Sequence, residues 1–227
     1  MSAEPLDALA EAARAWGAPL DEAALSRIVS YLGAVREKNA TTNLTADACW
    51  ADLVLKHAAD GVFAAAALKR ALPGVAAPRI LDLGSGGGFV GVCLKIAWPA
   101  AEVTLMEAVE RKYKFLNATA AGLGLPGLRP LWRRAGEGPP RSSYETGFDA
   151  VVERALAPLP EAVALAIPLL KPEGLFAAFQ TDAPDPAEPT LARALAAAGA
   201  RVLDCLAYRR PGEDRDRRLA IFARTED

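Results

Sequence analysis

The chain has 227 residues, of which 52% are apolar and 24% charged, with a formal net charge of −2. That size fits one domain with a small appendage, and its core needs neither disulfide nor metal to hold it; the near-balanced charge and ample apolar content exclude a disordered chain. A pI near 5.6 excludes a protein that coats nucleic acid by bulk charge, and apolar runs such as Ala162–Leu170 fall far short of the roughly 20 residues of a membrane span.

From Pro5 to about Leu72 the pattern is helical. Leu20, Leu25, Ile28, Val29, Leu32 and Val35 recur at steps of three and four, which makes one apolar stripe. Asp21 and Glu22 stand at the start of that helix, where its dipole favours acids. Asn39 to Thr45 interrupts it with residues that prefer caps and turns. A further helix runs to about Leu72, carrying Leu53, Leu55 and His57, and Pro73-Gly74 ends it.

From Arg79 strands alternate with helices. Strands are expected at 79–83, 102–106, 128–132, 148–152 and 174–179, with helices at 89–97, 111–121, 159–170 and 191–198. Residues 201–208 and 218–223 close the chain as two strands with no helix between them. Alternation implies a mostly parallel sheet covered on both faces, and the last pair implies an antiparallel hairpin at one edge. The expected division is a helical extension over 1–74 and an α/β domain over 75–227. The acidic N-terminus lacks a basic-then-apolar leader. Cys49, Cys93 and Cys205 are widely spaced and form no Cys-x-x-Cys pair. Both features fit a reduced, cytoplasmic protein without a metal site.

Asp82-Leu83-Gly84-Ser85-Gly86-Gly87-Gly88 is the strongest local signal. It follows an expected strand and opens an expected helix. Glycines let the backbone turn sharply and approach a ligand, and the helix N-terminus offers unpaired N–H groups. Gly86, Gly88 and Gly91 satisfy a dinucleotide pattern, while Asp82, Gly84, Gly86 and Gly88 satisfy Asp-x-Gly-x-Gly-x-Gly. The second pattern marks methyltransferases that use S-adenosylmethionine. Its acid suits a ligand carrying an ammonium and a sulfonium, and would repel a pyrophosphate. Glu107 ends the second strand and can accept both ribose hydroxyls of a nucleoside. On residues alone, a methyltransferase of another RNA or of a small molecule, a nicotinamide-dependent reductase and a non-catalytic nucleotide-binding protein all stay open.

Taken together, the segments from about Ile28 to Phe222 resemble one family, the small-subunit (16S) rRNA guanine-N7 methyltransferases called RsmG or GidB. The resemblance is carried by Tyr31-Leu32 with Asn39 and Asn43-Leu44-Thr45, by His57 and Asp60 as a His-x-x-Asp, and by the cofactor loop Leu81 to Gly91. It continues through Glu107 to Leu116, Arg134-Ala135, Phe148-Asp149 and Arg154-Ala155 before Pro158-Leu159. The Leu-Lys-Pro-Glu-Gly turn at 170–174 is shared by many methyltransferases. Departures stand at Val90, Lys38, Ala108, Gly136 and Gln180, where the family usually has proline, tryptophan, serine, an acid and lysine. Cofactor positions mostly survive, and positions that could face RNA are more altered.

The resemblance implies a Rossmann-like class I fold with a seven-stranded sheet, S-adenosylmethionine as cofactor, and 16S rRNA or the small ribosomal subunit as partner of a monomeric enzyme. It implies that Asp82, Gly84, Ser85, Gly86, Gly88 and Phe89 form the cofactor loop, that Glu107 holds the ribose, and that Ala135 and Gly136 line the adenine. Arg154 would lie beside the donor methyl and the incoming base, as cofactor contact and catalytic residue. Without the resemblance, Arg154 reads as one half of a surface ion pair with Glu153 or Glu161. His57, the single histidine, reads as a packed or capping residue. Two arginine groups could face RNA: Arg129, Arg133, Arg134 and Arg141 around Trp132, and Arg209, Arg210, Arg215, Arg217 and Arg218, the latter nearly neutralised by Glu213, Asp214 and Asp216.

Overall fold

The structure is a computed structural model that describes residues 3–47, 49–138 and 145–225. Helix α1 (Glu4–Trp16) ends on Gly17 in the left-handed region. Helix α2 (Glu22–Thr42) starts at Asp21, whose side chain accepts the Ala24 N–H at 2.7 Å. Its stripe buries Ile28, Tyr31, Leu32 and Val35.

Contrary to the expected break, α2 continues through Asn39 to Thr42 and closes on Asn43 at φ 53°. Asn39 serves the loop from inside the last turn. Its Oδ1 accepts the N–H groups of Leu44 and Thr45 at 2.8 and 2.9 Å, and its Nδ2 donates to the Thr45 carbonyl at 2.9 Å. The turn-forming side chain shapes the chain after the helix without stopping it. The next helical stretch is composite: α3 (Trp50–Asp52), a π-helical segment over Leu53–Ala58, then α4 (Ala59–Ala71). π-Helical turns often mark functional positions, and this one carries Lys56 and His57.

The sheet contains β1 (Arg79–Leu83), β2 (Glu102–Glu107), β3 (Leu128–Trp132), β4 (Phe148–Arg154), β5 (Leu170–Gln180), β6 (Ala200–Tyr208) and β7 (Arg217–Arg224) in the order β3-β2-β1-β4-β5-β7-β6. Pairs from β3 to β5 are parallel; β7 runs antiparallel to both β5 and β6. The expected hairpin is present, and its second strand lies inside the sheet. Helices α5 (Phe89–Ala97), α6 (Glu110–Leu123), α7 (Leu159–Ala166) and α8 (Pro189–Ala198) complete the alternation.

Helix α7 is shorter than expected, and β5 starts earlier. Pro168 lacks an N–H, so the α-helix gives way to a 3₁₀ turn over Ile167–Leu169. Strand β5 then begins at Leu170 with an irregularity opposite Phe148 and Ala150.

Side chains alternate across the strands and feed two cores. Ile80, Val152, Ala177 and Ile221 join a core that also contains Leu9, Ile28, Leu68 and Val92. Leu81, Val151, Phe176 and Phe222 join a second core with Val163 and Leu191. The strand order reverses between β1 and β4, and open α/β sheets bind ligands at the carboxyl ends of strands beside such a point. Among the described residues, no helix is long and apolar enough to cross a membrane.

Candidate active site

The loop after β1 bends through Gly84, Gly86 and Gly88 at φ 72°, 58° and 86°, a region open to glycine at little cost. It is pinned from several sides. The Ser85 N–H donates to the Met106 carbonyl at 2.9 Å, and its hydroxyl donates to the Asp82 carbonyl at 2.8 Å. Both polar groups of Ser85 are thus engaged within the protein, so its side chain holds the loop's shape and offers no free hydroxyl. Glu107 joins the loop to the end of β2: Oε2 accepts the Gly86 N–H at 2.8 Å and Oε1 the Val109 N–H at 2.7 Å. From α2, Tyr31 donates its hydroxyl to the Gly87 carbonyl at 2.8 Å.

Asp82 lies behind the loop. It is buried, and Oδ2 accepts the Gly91 N–H at 2.8 Å. Burial pushes its carboxyl up to about 6. A methyl group at Gly91 would strike Leu105 and Asp82, so this glycine lets α5 lie directly on β1 and β2. A methyl at Gly86 would meet nothing nearer than the Gly84 carbonyl at 4.0 Å, so the loop's open face is there.

Three cavities share lining residues at the strand ends. The first, about 450 Å³, is lined by Gly84, Gly86, Glu107, Ala108, Ala135 and Leu156 among others. The second, about 260 Å³, is lined by Asp82, Gly84 to Gly87, Phe89, His57 and Arg154. The third, about 490 Å³, is lined by Asp47, Lys56, His57, Glu153, Arg154, Gln180, Tyr208 and Arg210. Ala155 borders all three. It holds φ 57° without being glycine, the kind of backbone strain that clusters at ligand sites. Gly136 borders a separate pocket of about 220 Å³, together with Ala135.

Arg154 does not pair with Glu153 or Glu161. Its Nη1 donates to Asp60 Oδ2 at 2.7 Å and its Nη2 to His57 Nδ1 at 2.7 Å. Successive residues on a strand point to opposite faces, so Glu153 is out of its reach. Asp60 is fully buried and also accepts from Arg210 at 2.6 and 2.8 Å and from the Tyr208 hydroxyl at 2.5 Å. These donors hold its carboxyl below the usual range despite burial. An arginine only donates, so His57 Nδ1 is the acceptor and Nε2 carries the proton, 2.9 Å from Asp47 Oδ2. Burial, with the Arg154 charge, lowers His57 to about 4. Its ring stacks on Phe89 at 4.2 Å, and the Arg154 guanidinium lies 5.6 Å from the same ring. The histidine is packed and neutral, and Phe89 is a buried wall beneath it.

The structure therefore brings Asp82, Gly84, Gly86, Phe89, Glu107, Ala135 and Arg154 around one trough; Gly88 lies at its back against Leu116 and Val92. Four of the five arginines in the second group are paired with acids: Arg210 and Arg217 with Glu213, Arg209 with Asp216, Arg215 with Asp182. In the first group Arg133 is paired with buried Glu145, Arg134 lines the 450 Å³ cavity, and Arg141 lies outside the described residues. Trp132 is exposed and stacks on Tyr113 with centroids 6.0 Å apart. Residue reasoning missed Glu153, Ala155, Tyr208 and the internal role of Arg210. Asp60 carried a readable signal, an acid inside the apolar run 58–68 that would need a cation when buried.

A family profile described as rRNA small subunit methyltransferase G matches residues 24–211. A ribosomal RNA small subunit methyltransferase G from Myxococcus xanthus is 36% identical over 223 residues, covering 96% of each chain. One from Geobacter sp. strain M21 is 33% identical over 208 residues, covering 92% of each. Among solved structures, the 1,6-didemethyltoxoflavin-N1-methyltransferase of Burkholderia thailandensis, crystallised with S-adenosylhomocysteine, superimposes with a TM-score of 0.57 at 20% identity, over 87% of this chain and 90% of that one. The 16S rRNA methyltransferase KamB gives 0.53 at 18% identity, over 66% and 88%. Those two likenesses establish the Rossmann-like methyltransferase fold, and the sequence matches establish more: this chain belongs to the rRNA small subunit methyltransferase G family.

Proposed function

We propose that the protein transfers a methyl group from S-adenosylmethionine to N7 of a guanine in small-subunit (16S) rRNA. The observation that carries this reading is the trough at the β1–β4 reversal, in which Ala155 and Arg154 join a glycine-loop cavity to a separate polar one. The residues fit the cofactor. Each Glu107 oxygen accepts one backbone N–H and keeps a second lone pair for a ribose hydroxyl. Gly86 leaves open space where a side chain would stand, and Ala135 with Leu156 supplies apolar walls for an adenine. Asp82 places negative charge in the 260 Å³ cavity, where an ammonium would lie. When bound, S-adenosylmethionine supplies an electrophilic methyl group on a sulfonium.

Guanine N7 carries an exposed lone pair and no proton, so the chain needs no general base. Neutral His57 is in keeping with this. The protein's contribution is placement in a dry trough. The Arg154 guanidinium, fixed by Asp60 and His57, has N–H groups left for guanine O6, which would leave N7 facing the donor. RNA's deep groove hides N7 inside a duplex, so the base must be presented unstacked. Action as a monomer belongs to the same proposal, and the rRNA target favours a cytoplasmic location.

Small-subunit rRNA from cells with and without the gene tests the reading. Mapping of 7-methylguanine should show one position losing its methyl group when the gene is removed. Identical maps would refute it.

A further inference from the structure

We propose that Trp132 is a stacking platform for a single-stranded base of the substrate RNA, one other than the guanine that is methylated. This rests on the function proposed above and adds a surface through which the RNA is held.

Trp132 is the single exposed aromatic residue among the described residues, at 53%. The other described rings are buried or half-buried, so an indole left in water marks a contact surface. The ring is held in place. Its Nε1 donates to the Ala108 carbonyl at 3.1 Å, and Tyr113 of α6 lies beside it with 17° between the ring planes. Val109, the residue after Ala108, is itself 39% exposed and adds apolar surface close by. A ring already fixed loses little freedom when a ligand stacks on it.

Position and charge identify the ligand. Trp132 ends the edge strand β3, in register with Glu107 of β2. Ala108, Val109, Lys112 and Arg134 line the 450 Å³ cavity, and Trp132 does not. The indole therefore stands on the rim of the cofactor cavity, outside it. Three strand spacings, about 14 Å, separate β3 from β4 and Arg154, so a base on Trp132 is a different base from the one beside Arg154. The chain is acidic overall, but this rim is basic. Arg111, Lys112 and Arg134 have no acid partner among the described residues, while Glu110 is taken by Lys114 at 2.7 Å. An aromatic face flanked by cations suits a nucleobase with its phosphates. Such stacking accepts any base and takes it from an unpaired strand. An apolar peptide would use the ring and leave the cations without partners.

The test uses the full-length enzyme. A short single-stranded oligoribonucleotide should quench the tryptophan fluorescence of wild type, and a duplex of the same sequence should quench it less. Trp132→Phe keeps a ring and should bind the single strand within about threefold of wild type, with most of the quench gone. Trp132→Leu keeps an apolar side chain without a ring and should bind it roughly 5- to 150-fold more weakly, the range of one base–aromatic stack. With small ribosomal subunits from cells lacking the gene as substrate, Trp132→Leu should raise KM with little change in kcat. Its S-adenosylhomocysteine affinity by calorimetry should stay within about twofold, as for a residue that binds RNA without touching the cofactor. Equal binding of the single strand by Trp132→Leu and wild type overturns the platform alone. Loss of S-adenosylhomocysteine affinity overturns it by moving Trp132 into the cofactor pocket. Wild type that sediments as a dimer, with Trp132→Leu a monomer, overturns it in favour of a second copy of this chain on the ring. Wild type that leaves the small subunits unmethylated overturns both this role and the function it rests on.

Discussion

Arg154 shows what one side chain owes to distant chain. Its carboxylate partner, Asp60, is 94 residues away, and no local pattern announces a pairing over that separation. Its sequence neighbours Glu153 and Glu161 are the obvious partners on charge alone, and strand geometry rules Glu153 out. Asp60 would keep Arg210 and Tyr208 if Arg154 were removed, so the fold survives the truncation. Arg154→Ala should therefore lower kcat by at least roughly tenfold while leaving S-adenosylhomocysteine affinity within about twofold, the signature of an interaction used in the reaction more than in the ground state. Single-turnover rates and calorimetry on the same preparation check this; equal losses in both would place the arginine in the cofactor pocket. The bends of the glycine loop, by contrast, were legible in the sequence, because glycine adopts left-handed conformations at little cost, whereas nothing local announces the left-handed Ala155. The fate of Ser85 was not legible either, since nothing local says whether a hydroxyl turns inward.

Between elements, the crossing of α4 and α5 sets the back of the site. At Gly61 a methyl group would stand 2.6 Å from Cys93 Cβ and 2.7 and 2.9 Å from the carbonyls of Val90 and Phe89. Two of those atoms are backbone and cannot rotate away. Gly61→Ala should destabilise the protein by about 1–3 kcal/mol, as overpacking of a close-packed core does, seen as a lower urea midpoint with an unchanged slope. A midpoint equal to wild type would mean the helices are not in this contact. Periodicity revealed most helices and strands because their buried stripes are regular. It did not reveal the π-helical segment at 53–58, whose demands come from its neighbours, or the inward place of β7. A hairpin reads the same from sequence whichever of its strands joins the sheet. The 3₁₀ turn at 167–169 was marked by Pro168, but a proline alone does not say whether a helix kinks or stops.

Over the whole molecule, the helices before residue 74 share one continuous core with the sheet. Leu9, Ile28 and Leu68 belong with Ile80, Val152 and Ile221. Trp16 of α1 meets Phe63 at 5.4 Å and Tyr208 of β6 at 6.1 Å between ring centroids. The two regimes of the sequence are therefore textures of pattern, helical then alternating, laid over a common interior. Unfolding in urea should show coincident transitions by far-ultraviolet circular dichroism and by tryptophan fluorescence, since Trp16 and Trp50 report on the helices before residue 74, and Trp98 at the end of α5 and Trp132 in β3 on the α/β part. Two separated transitions would show that the helices come apart first.

The inward seat of β7 carries a consequence for birth on the ribosome. Residues 217–224 fill the slot between β5 and β6, so a nascent chain leaves β5 with a bare, adhesive border until that strand emerges from the exit tunnel. Trp16 likewise waits for Tyr208, 192 residues on, to complete its ring contacts. Vectorial folding, in which segments settle in the order they are translated, can seat α1 on Phe63 early, but the edge of β5 stays open until residues 217–224 have been made.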